Sequence, residues 1–536
     1  MFKKANKPVM FITLGLLALM VLPMVIWPDA SSAVINKFYS FMTWDLAWLF
    51  LLIGVFCAAA AIFVIASRYG DIRLGGKDAK PHYRTFTWIS MMLCSALAAG
   101  ILIFGMVEWM YYVNGTPFNL EPHSIEAYEY ASAYGMFHWG FSAWSFYLLP
   151  GLAIGYMYWN KHVGSLRISD SCQGLLGPDK SKRKGLRLVI DGLITFCYVG
   201  GLMCTVGLGT PVMAELFSYL TGMPDSFGLR IGVILVFCLF FILSTSRSIA
   251  KGMGIISDFN VKLAIAFFIF VFLVGPKSFM LNNFTMAVGT NIREFVRMSF
   301  NTDAIAQTGF IQSWTIFYWA WYVGLSISTG LWTARVSYGR TFREIAIATT
   351  VISPLACWVT FGILGNYGMG MELLGKLDVS RVIDEVGNNG ATLMVLKTLP
   401  FAALAVVVFL VLIFFNLATS ATATSTTVAI LTSDGLKEDE EPHKWYKVFW
   451  SFMFLALPVA ILFLEHKVEG LNILKTLQSV TTVFAIPILP IVFALIWSFV
   501  KTLRKDVAAG DIAVDDDKRW KWAAVKKEAQ MSEEGK

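Results

Sequence analysis

The sequence has few charged residues and lacks the residue pairings that build common redox and metal sites. Only 15% of its 536 residues are charged, whereas a soluble globular protein carries roughly 25%. Its seven cysteines include no C-x-x-C pair and its six histidines are scattered. These features exclude a disulfide framework, a cysteine zinc site and a bis-histidine haem site. A membrane enzyme acting on choline-like substrates is also disfavoured, because no nucleophile–base pair or cofactor motif is present.

Long apolar runs dominate what is present. Hydrophobic residues make up 57% of the chain and recur in runs of about 20 residues, enough to cross a bilayer core of roughly 30 Å. The run after KKANK lacks an A-x-A-like cleavage site, so we interpret it as a retained span rather than a signal peptide. The sequence predicts an all-α polytopic membrane protein of twelve spans, near 8–28, 45–67, 87–113, 134–158, 187–219, 229–246, 258–276, 311–336, 343–365, 397–428, 445–464 and 475–500.

The distribution of basic residues predicts the orientation. The formal charge is +7, but lysine and arginine cluster in loops at 68–85, 160–187, 244–252 and 334–344. The loop at 114–130 carries carboxylates but contains neither lysine nor arginine. Basic loops face the cytoplasm, so the alternation predicts both termini inside and a bacterial inner-membrane location. No basic stripe on a soluble domain indicates nucleic acid.

An amphipathic stretch divides the predicted spans into two halves. Segment 290–303 has the pattern of a helix lying along the outer interface. Five spans precede it and five follow, once the first two spans are set aside as accessory. An odd number in each half forces the halves into opposite orientations, which is an inverted repeat. The predicted units are 1–86 with the accessory spans, 87–276 and 311–500 as repeats, 277–310 as connector, and 501–536 as cytoplasmic tail.

The fourth predicted span carries three aromatic residues that one helix face can present together. Trp139, Trp144 and Tyr147 lie within about 140° of arc on an ideal helix. Trp and Tyr also gather at headgroup level, so an interfacial belt is one interpretation. The other is a cage for a quaternary ammonium group, whose attraction to ring faces needs no hydrogen bond.

The eighth predicted span joins a second aromatic face to a stretch of small residues. Trp314, Tyr318, Trp321 and Tyr322 recur at helical spacing, and GLSISTG follows at 324–330. Small and hydroxylated residues in a span often serve helix packing. Alternatively, Ser328 and Thr329 mark a discontinuous helix whose freed backbone groups bind substrate or ion.

Two more stretches attract attention for their polar or small residues. In the third predicted span, Ala96, Ala98 and Gly100 permit close backbone approach or local unwinding, and Glu108 follows as an ionisable candidate near the outer interface. In the tenth, hydroxyls crowd residues 419–427. They form either a polar helix satisfied by its own carbonyls or a sodium site, for which the adjacent Thr419 and Ser420 are the candidates.

Three motifs together resemble the betaine/carnitine/choline transporter (BCCT) family. They are FHWGFSAWSFY (137–147), FYWAW (317–321) and ARVSYGRTFREI (334–345), and the similarity extends over about residues 10–500. The resemblance implies a leucine-transporter-like five-plus-five inverted repeat, transport of trimethylammonium solutes, and often a homotrimer in the lipid bilayer. It implies an aromatic substrate box formed by Trp139, Trp144, Tyr147, Phe317, Trp321 and Tyr322.

Departures from the family pattern bear on substrate and coupling. Tyr322 replaces a second Trp and Leu325 a later aromatic residue, so a smaller or less methylated zwitterion becomes possible. Sodium-independent exchangers of the family carry Arg and Met at positions held here by Asn260 and Thr329, whereas the Thr419–Ser420 pair matches sodium-coupled members. The resemblance therefore implies Na⁺ as coupling ion, with sodium-independent exchange or a non-transporting osmotic sensor as alternatives.

Overall fold

The computed structural model describes residues 4–96, 99–246, 250–434, 442–468, 473–510 and 512. Within these ranges the chain forms helices and no β-strand, apart from isolated bridges between Ala5 and Ser433 and between Arg73 and Thr341. The prediction of an all-helical protein is therefore confirmed for the described residues. The predicted tail from 513 onward lies outside them.

Helices α1 to α9 form the first part of the chain. A π-helical turn, Phe41–Asp45, precedes α3, a second one, Tyr156–Asn160, extends α7, and short 3₁₀ turns lie at Arg68–Asp71 and Pro117–Asn119. The helices are α1 Lys7–Ile26, α2 Pro28–Ser40, α3 Ala47–Ala66, α4 Thr85–Ala96, α5 Ala99–Asn114, α6 Ile125–His138, α7 Phe141–Gly155, α8 Ile168–Ser171 and α9 Gln173–Leu176.

Helices α10 to α22 form the remainder. A π-helical turn, Ile311–Ile316, leads into α14, two more at Ala348–Ile352 and Phe361–Gly365 join α15, α16 and α17, and a 3₁₀ turn, Ser380–Val382, precedes α18. The helices are α10 Lys184–Thr221, α11 Phe227–Ser246, α12 Ala250–Val274, α13 Lys277–Phe300, α14 Phe317–Val336, α15 Phe342–Ile347, α16 Ser353–Thr360, α17 Asn366–Leu373, α18 Ile383–Lys397, α19 Ala402–Leu431, α20 Lys444–Met453, α21 Ala456–Lys467 and α22 Ile473–Ala508.

Eight helical stretches in the described residues are long and apolar enough to cross a membrane. They begin at Lys7, Ala47, Lys184, Ile256, Phe342, Ala402, Lys444 and Thr476. Several such helices in one chain indicate a multi-pass membrane protein. The other predicted spans coincide with divided or shorter helices, such as α4 with α5, α6 with α7, and α11. The count of twelve spans stays a prediction.

Two helices extend beyond the corresponding predicted segments. Helix α6 begins at Ile125, before the span predicted near 134–158, because the Ser124 side chain caps it by accepting a hydrogen bond from the Ala127 amide. Helix α13 runs from Lys277 to Phe300, within the predicted connector 277–310, and begins before the amphipathic stretch predicted at 290–303. Along this length α13 packs on α6 and also contacts α3 and α17. It therefore packs against other helices of the protein and does not only lie along the membrane interface.

Candidate functional site

The fourth predicted span is broken at its aromatic motif. Helix α6 ends at His138 and α7 begins at Phe141, which leaves Trp139 and Gly140 between them. A Cβ atom on Gly140 would lie 2.5 Å from the carbonyl oxygen of Met136. Because no side chain fits there without a backbone shift, glycine permits the tight turn.

Side chains from two other helices satisfy carbonyl groups that the break releases. The Gly140 amide donates to Phe137 O, so Met136 O accepts instead from Nε1 of Trp358 at 2.8 Å. The Tyr322 hydroxyl of α14 donates to His138 O at 2.7 Å. An unpaired buried carbonyl costs about 1–3 kcal/mol. Tyr322, which the sequence analysis linked to substrate choice, therefore also stabilises the broken helix.

The six residues predicted to form an aromatic box lie in one buried cluster. The Trp139 ring centroid lies 6.0 Å from Trp321 and 6.1 Å from Tyr322, and Tyr147 lies 5.9 Å from Tyr322. Trp144 lies 5.4 Å from Tyr147, and Phe317 lies 5.6 Å from Trp321. All six side chains are 4–8% exposed. The aromatic cluster comprises Trp139, Trp144, Tyr147, Phe317, Trp321 and Tyr322. Tyr322 contacts both Trp139 and Tyr147 and so connects the two groups of rings.

The expectation that Trp139, Trp144 and Tyr147 share one face of a continuous helix is wrong for Trp139. Trp144 and Tyr147 both lie in α7 and contact each other, whereas Trp139 precedes that helix. Trp139 instead packs edge to face on Tyr318 at 5.5 Å. The break therefore turns this indole toward α14, which helical spacing alone does not show.

Phe104 of α5 contacts this cluster and is not among the six predicted residues. Its ring lies 6.3 Å from Trp139 and 6.2 Å from Trp321. A Cβ on Gly100, one turn earlier, would lie 3.4 Å from the Trp321 ring, which is ordinary van der Waals contact. No sequence motif marks Phe104, because only the packing of α5 beside the cluster brings it there.

A carboxylate lies directly behind these rings. Glu108 of α5 is completely buried, and its Oε2 accepts hydrogen bonds from the Tyr318 hydroxyl and, at 3.1 Å, from Nε1 of Trp139. Its Oε1 accepts from the Tyr112 hydroxyl, which also lies 2.7 Å from Nδ1 of His138. The sequence analysis placed Glu108 near the outer interface, but the structure shows it bonded to the aromatic cluster.

Sequence comparison decides which family these motifs represent. The family described as BCCT, betaine/carnitine/choline family transporter, matches residues 8–508. The chain belongs to this family. Among its relatives, a carnitine transporter of Acinetobacter baumannii is 31% identical over 459 residues, covering 85% of this chain and 82% of the relative.

Two further relatives agree with the BCCT assignment. A probable glycine betaine transporter of Desulfitobacterium hafniense is 31% identical over 510 residues, covering 94% of this chain and 98% of the relative. An uncharacterised transporter of Escherichia coli is 29% identical over 447 residues, with coverages of 83% and 91%. The chain is a BCCT transporter of the betaine/carnitine type and not an enzyme.

The BCCT chain keeps its eighth span helical where unwinding at Ser328 and Thr329 was expected. Helix α14 is unbroken from Phe317 to Val336, so the expectation of a discontinuous helix is wrong here. The backbone groups keep their partners within the helix, and the hydroxyls of Ser326 and Ser328 also donate to carbonyls three residues earlier at 2.7 Å. These two serine hydroxyls are satisfied within their own helix.

Close packing explains the last small residue of that stretch. A Cβ on Gly330 would lie 2.8 Å from the Gly151 amide nitrogen and 3.1 Å from Cβ of Pro150. Glycine therefore lets α14 and α7 approach backbone to backbone, as small residues do between membrane helices. This contact holds the two aromatic-bearing helices side by side.

The structure describes only some of the positions at which the third span is expected to unwind. Gly100 is the second residue of α5, so it is helical and the expectation is wrong at that position. A Cβ at this position would make ordinary van der Waals contact with the Trp321 ring. Ala96 is the last residue of α4, and Ala98 lies outside the described residues.

The sodium candidates lie in α19, which is one continuous helix. The Thr419 hydroxyl donates to Phe415 O and Asn416 O at 2.9 and 3.0 Å, which leaves its oxygen lone pairs as acceptors. Adjacent Ser420 is half-buried. Helix α12 packs against α19, and in the described part of the chain Oδ1 of its buried Asn260 has no hydrogen-bond partner. Hydroxyl and amide oxygens are of the kind that Na⁺ binds, and sodium binding stays a prediction.

Side chains of the basic family motif at 334–344 contact the start of α4 and the residues just before it. Arg340 is 4% exposed, lies 4.7 Å from the Trp88 ring centroid, and donates to Tyr83 O at 2.9 Å. Trp88 Nε1 donates to the Ser337 hydroxyl at 3.1 Å, while Arg343 pairs with Asp71. The turn between α14 and α15 is thereby held against the chain between α3 and α4.

Proposed function

We propose that this BCCT transporter imports a small betaine-like quaternary ammonium or related zwitterionic solute together with Na⁺. The observation that supports this most is the aromatic cluster at the break between α6 and α7, where rings from two spans meet in buried surroundings. A methylated cation cannot donate hydrogen bonds, so ring faces are its natural partners. In this proposal the side chains part slightly to admit the headgroup.

The energetics are sufficient for such a solute. A desolvated cation–π contact contributes about 2 kcal/mol or more, and micromolar binding requires roughly 8 kcal/mol. Three or four rings among the six could therefore supply most of the affinity, before any contact to the anionic end of a zwitterion. The names of two relatives, a carnitine transporter and a probable glycine betaine transporter, favour the same solute class.

Sodium coupling is inferred from oxygen ligands and from family positions. Thr419 and Ser420 would ligate the ion, with the unpaired Oδ1 of Asn260 as a further oxygen from the neighbouring α12. Asn260 and Thr329 stand where sodium-independent members of the family carry Arg and Met. The Na⁺ gradient across the membrane would drive uptake, because the ion and the solute bind and move together.

The architecture follows the family plan in this proposal. Twelve spans form a five-plus-five inverted repeat after two accessory spans, with both termini in the cytoplasm of a bacterial cell and a homotrimer in the inner membrane. Rocking of one bundle against the other gives alternating access. On the cytoplasmic side, the contacts of Arg340 and Trp88 would have to separate for release.

Uptake into proteoliposomes tests the substrate class. Radiolabelled glycine betaine, carnitine and choline are offered separately, with an inward Na⁺ gradient. At least one should accumulate, and Trp144→Ala should raise its half-saturation concentration about tenfold or more, because a ring of the cluster is lost. Trp332→Ala, which removes an indole that is 43% exposed on α14, is the matched control and should leave uptake unchanged. Unaltered affinity in Trp144→Ala would contradict the proposed location.

Replacing Na⁺ by K⁺ tests the coupling. Uptake should stop, and Thr419→Ala should raise the Na⁺ concentration required for half-maximal uptake several-fold, because one oxygen ligand is removed. Counterflow that continues undiminished without Na⁺ would instead establish exchange. A protein that binds solute but never accumulates it would be a sensor.

A further inference from the structure

The buried carboxyl group of Glu108 is surrounded by hydrogen-bond donors. Three donors converge on it, the hydroxyls of Tyr112 and Tyr318 and Nε1 of Trp139. An ionised carboxylate accepts only, while a protonated one must also donate. With two donors on Oε2 and one on Oε1, an ionised Glu108 can accept all three hydrogen bonds at once.

The charge of Glu108 has no cationic side chain to balance it. Among the described residues, no lysine or arginine lies within ion-pair distance of it; Nδ1 of His138 is 3.7 Å away. His138 contacts the Tyr112 hydroxyl through Nδ1 and the Thr315 hydroxyl through Nε2, at 2.7 and 2.9 Å. A buried, unpaired charge is unfavourable. A cation held by the rings that Glu108 touches would supply the missing partner and favour the ionised carboxylate.

We propose that Glu108 is a positioning and specificity-determining residue, whose negative charge makes the aromatic cluster select cations over uncharged groups of the same shape. This inference rests on the proposed function. The carboxylate acts in two ways, neither of which needs contact with the solute. It fixes the Trp139 indole and the Tyr318 phenol through their polar edges, and it supplies a counter-charge one ring away from the headgroup.

The orientation of Trp139 makes this role specific. Its N–H points to Oε2 at 3.1 Å, while the same ring lies nearly perpendicular to the rings of Trp321 and Tyr322, at 6.0 and 6.1 Å between centroids. A hydrogen bond to an anion shifts electron density into the indole and makes its face more negative, which strengthens the attraction for a cation. The ring thus transmits the carboxylate charge to the place where a trimethylammonium group would lie.

The test compares cations with their uncharged isosteres. Glycine betaine is paired with 3,3-dimethylbutanoate, and choline with 3,3-dimethylbutan-1-ol, because each isostere replaces the ammonium nitrogen by carbon. Binding to the purified full-length protein is measured by intrinsic tryptophan fluorescence. Wild type should prefer the cation, and Glu108→Gln should weaken its binding on the order of tenfold to hundredfold, with the isostere changed by less than about threefold.

Two further variants keep the test decisive if Glu108→Gln does not fold. Tyr318→Phe removes one donor to Oε2 while keeping the ring, and should reduce cation selectivity by a smaller factor. Glu372→Gln is the matched control, because its half-buried carboxylate bonds to Tyr128 and Ser380 away from the cluster. Equal losses for cation and isostere, or no loss, would overturn the inference. If wild type binds none of glycine betaine, carnitine and choline, the proposed function fails instead.

Discussion

The fourth and eighth predicted spans lie side by side and each carries half of the aromatic cluster, yet only one of them is broken. The fourth span breaks at Trp139 and Gly140. The eighth stays helical through GLSISTG, which has two glycines and three hydroxylated residues. Glycine and hydroxyl content therefore does not predict where a membrane helix breaks.

The difference lies in what happens to the backbone carbonyl groups. In a bilayer, a freed carbonyl needs another donor because water is absent. The break in the fourth span receives two such donors, Trp358 and Tyr322, from neighbouring helices. The eighth span remains one helix, so its backbone carbonyl groups keep partners within that helix, and its serine hydroxyls also bond there. A break requires partners outside the helix.

The largest expected effect comes from placing the same methyl group in each span. Gly140→Ala should lower stability by about 2–3 kcal/mol, because its Cβ would lie 2.5 Å from Met136 O. Gly324→Ala should be neutral or raise stability by up to about 1 kcal/mol, since alanine favours helix and nothing lies within 4 Å of that Cβ. Thermal unfolding in detergent measures both.

Transport measurements give a second comparison of Gly140→Ala and Gly324→Ala. Gly140→Ala should also reduce transport, because it displaces Trp139 from the cluster, while Gly324→Ala should transport normally. If both variants unfolded at the same temperature as wild type, the close approach at the break would not constrain the fold.

A smaller effect is expected from removing the donors that the break receives. Tyr322→Phe keeps the ring but leaves His138 O without its hydrogen bond, which should cost about 1 kcal/mol. Trp358→Phe removes the donor to Met136 O and should act similarly. The melting temperature of each variant and of the double variant measures these contributions. A Tyr322→Phe protein as stable as wild type would show that water or another group replaces the phenol.

The smallest effect is expected in the eighth span. Ser328→Ala removes only a hydroxyl that bonds to Leu325 O of its own helix, so stability should change by less than about 0.5 kcal/mol. Uptake should also be unchanged. Loss of transport without loss of stability would revive the interpretation that this stretch unwinds during the transport cycle.

The candidate site was predictable in its residue types but not in its geometry. The aromatic motifs and the family resemblance name all six cluster residues in advance. Helical spacing cannot predict where the Trp139 side chain lies. A break in the helix changes the directions of the side chains that precede it relative to those that follow it. Phe104 and Trp358 carry no motif, and they join the site only because α5 and α16 pack beside it.

The sequence alone determined that this is an all-helical membrane transporter of the BCCT family, because hydropathy and motif residues are local properties of the chain. It also determined which aromatic side chains are available. Only the tertiary structure decided that the fourth span breaks, that Tyr322 supports the break, and that Glu108 lies behind Trp139. Each of these depends on donors and acceptors brought together from distant helices, which no local pattern encodes.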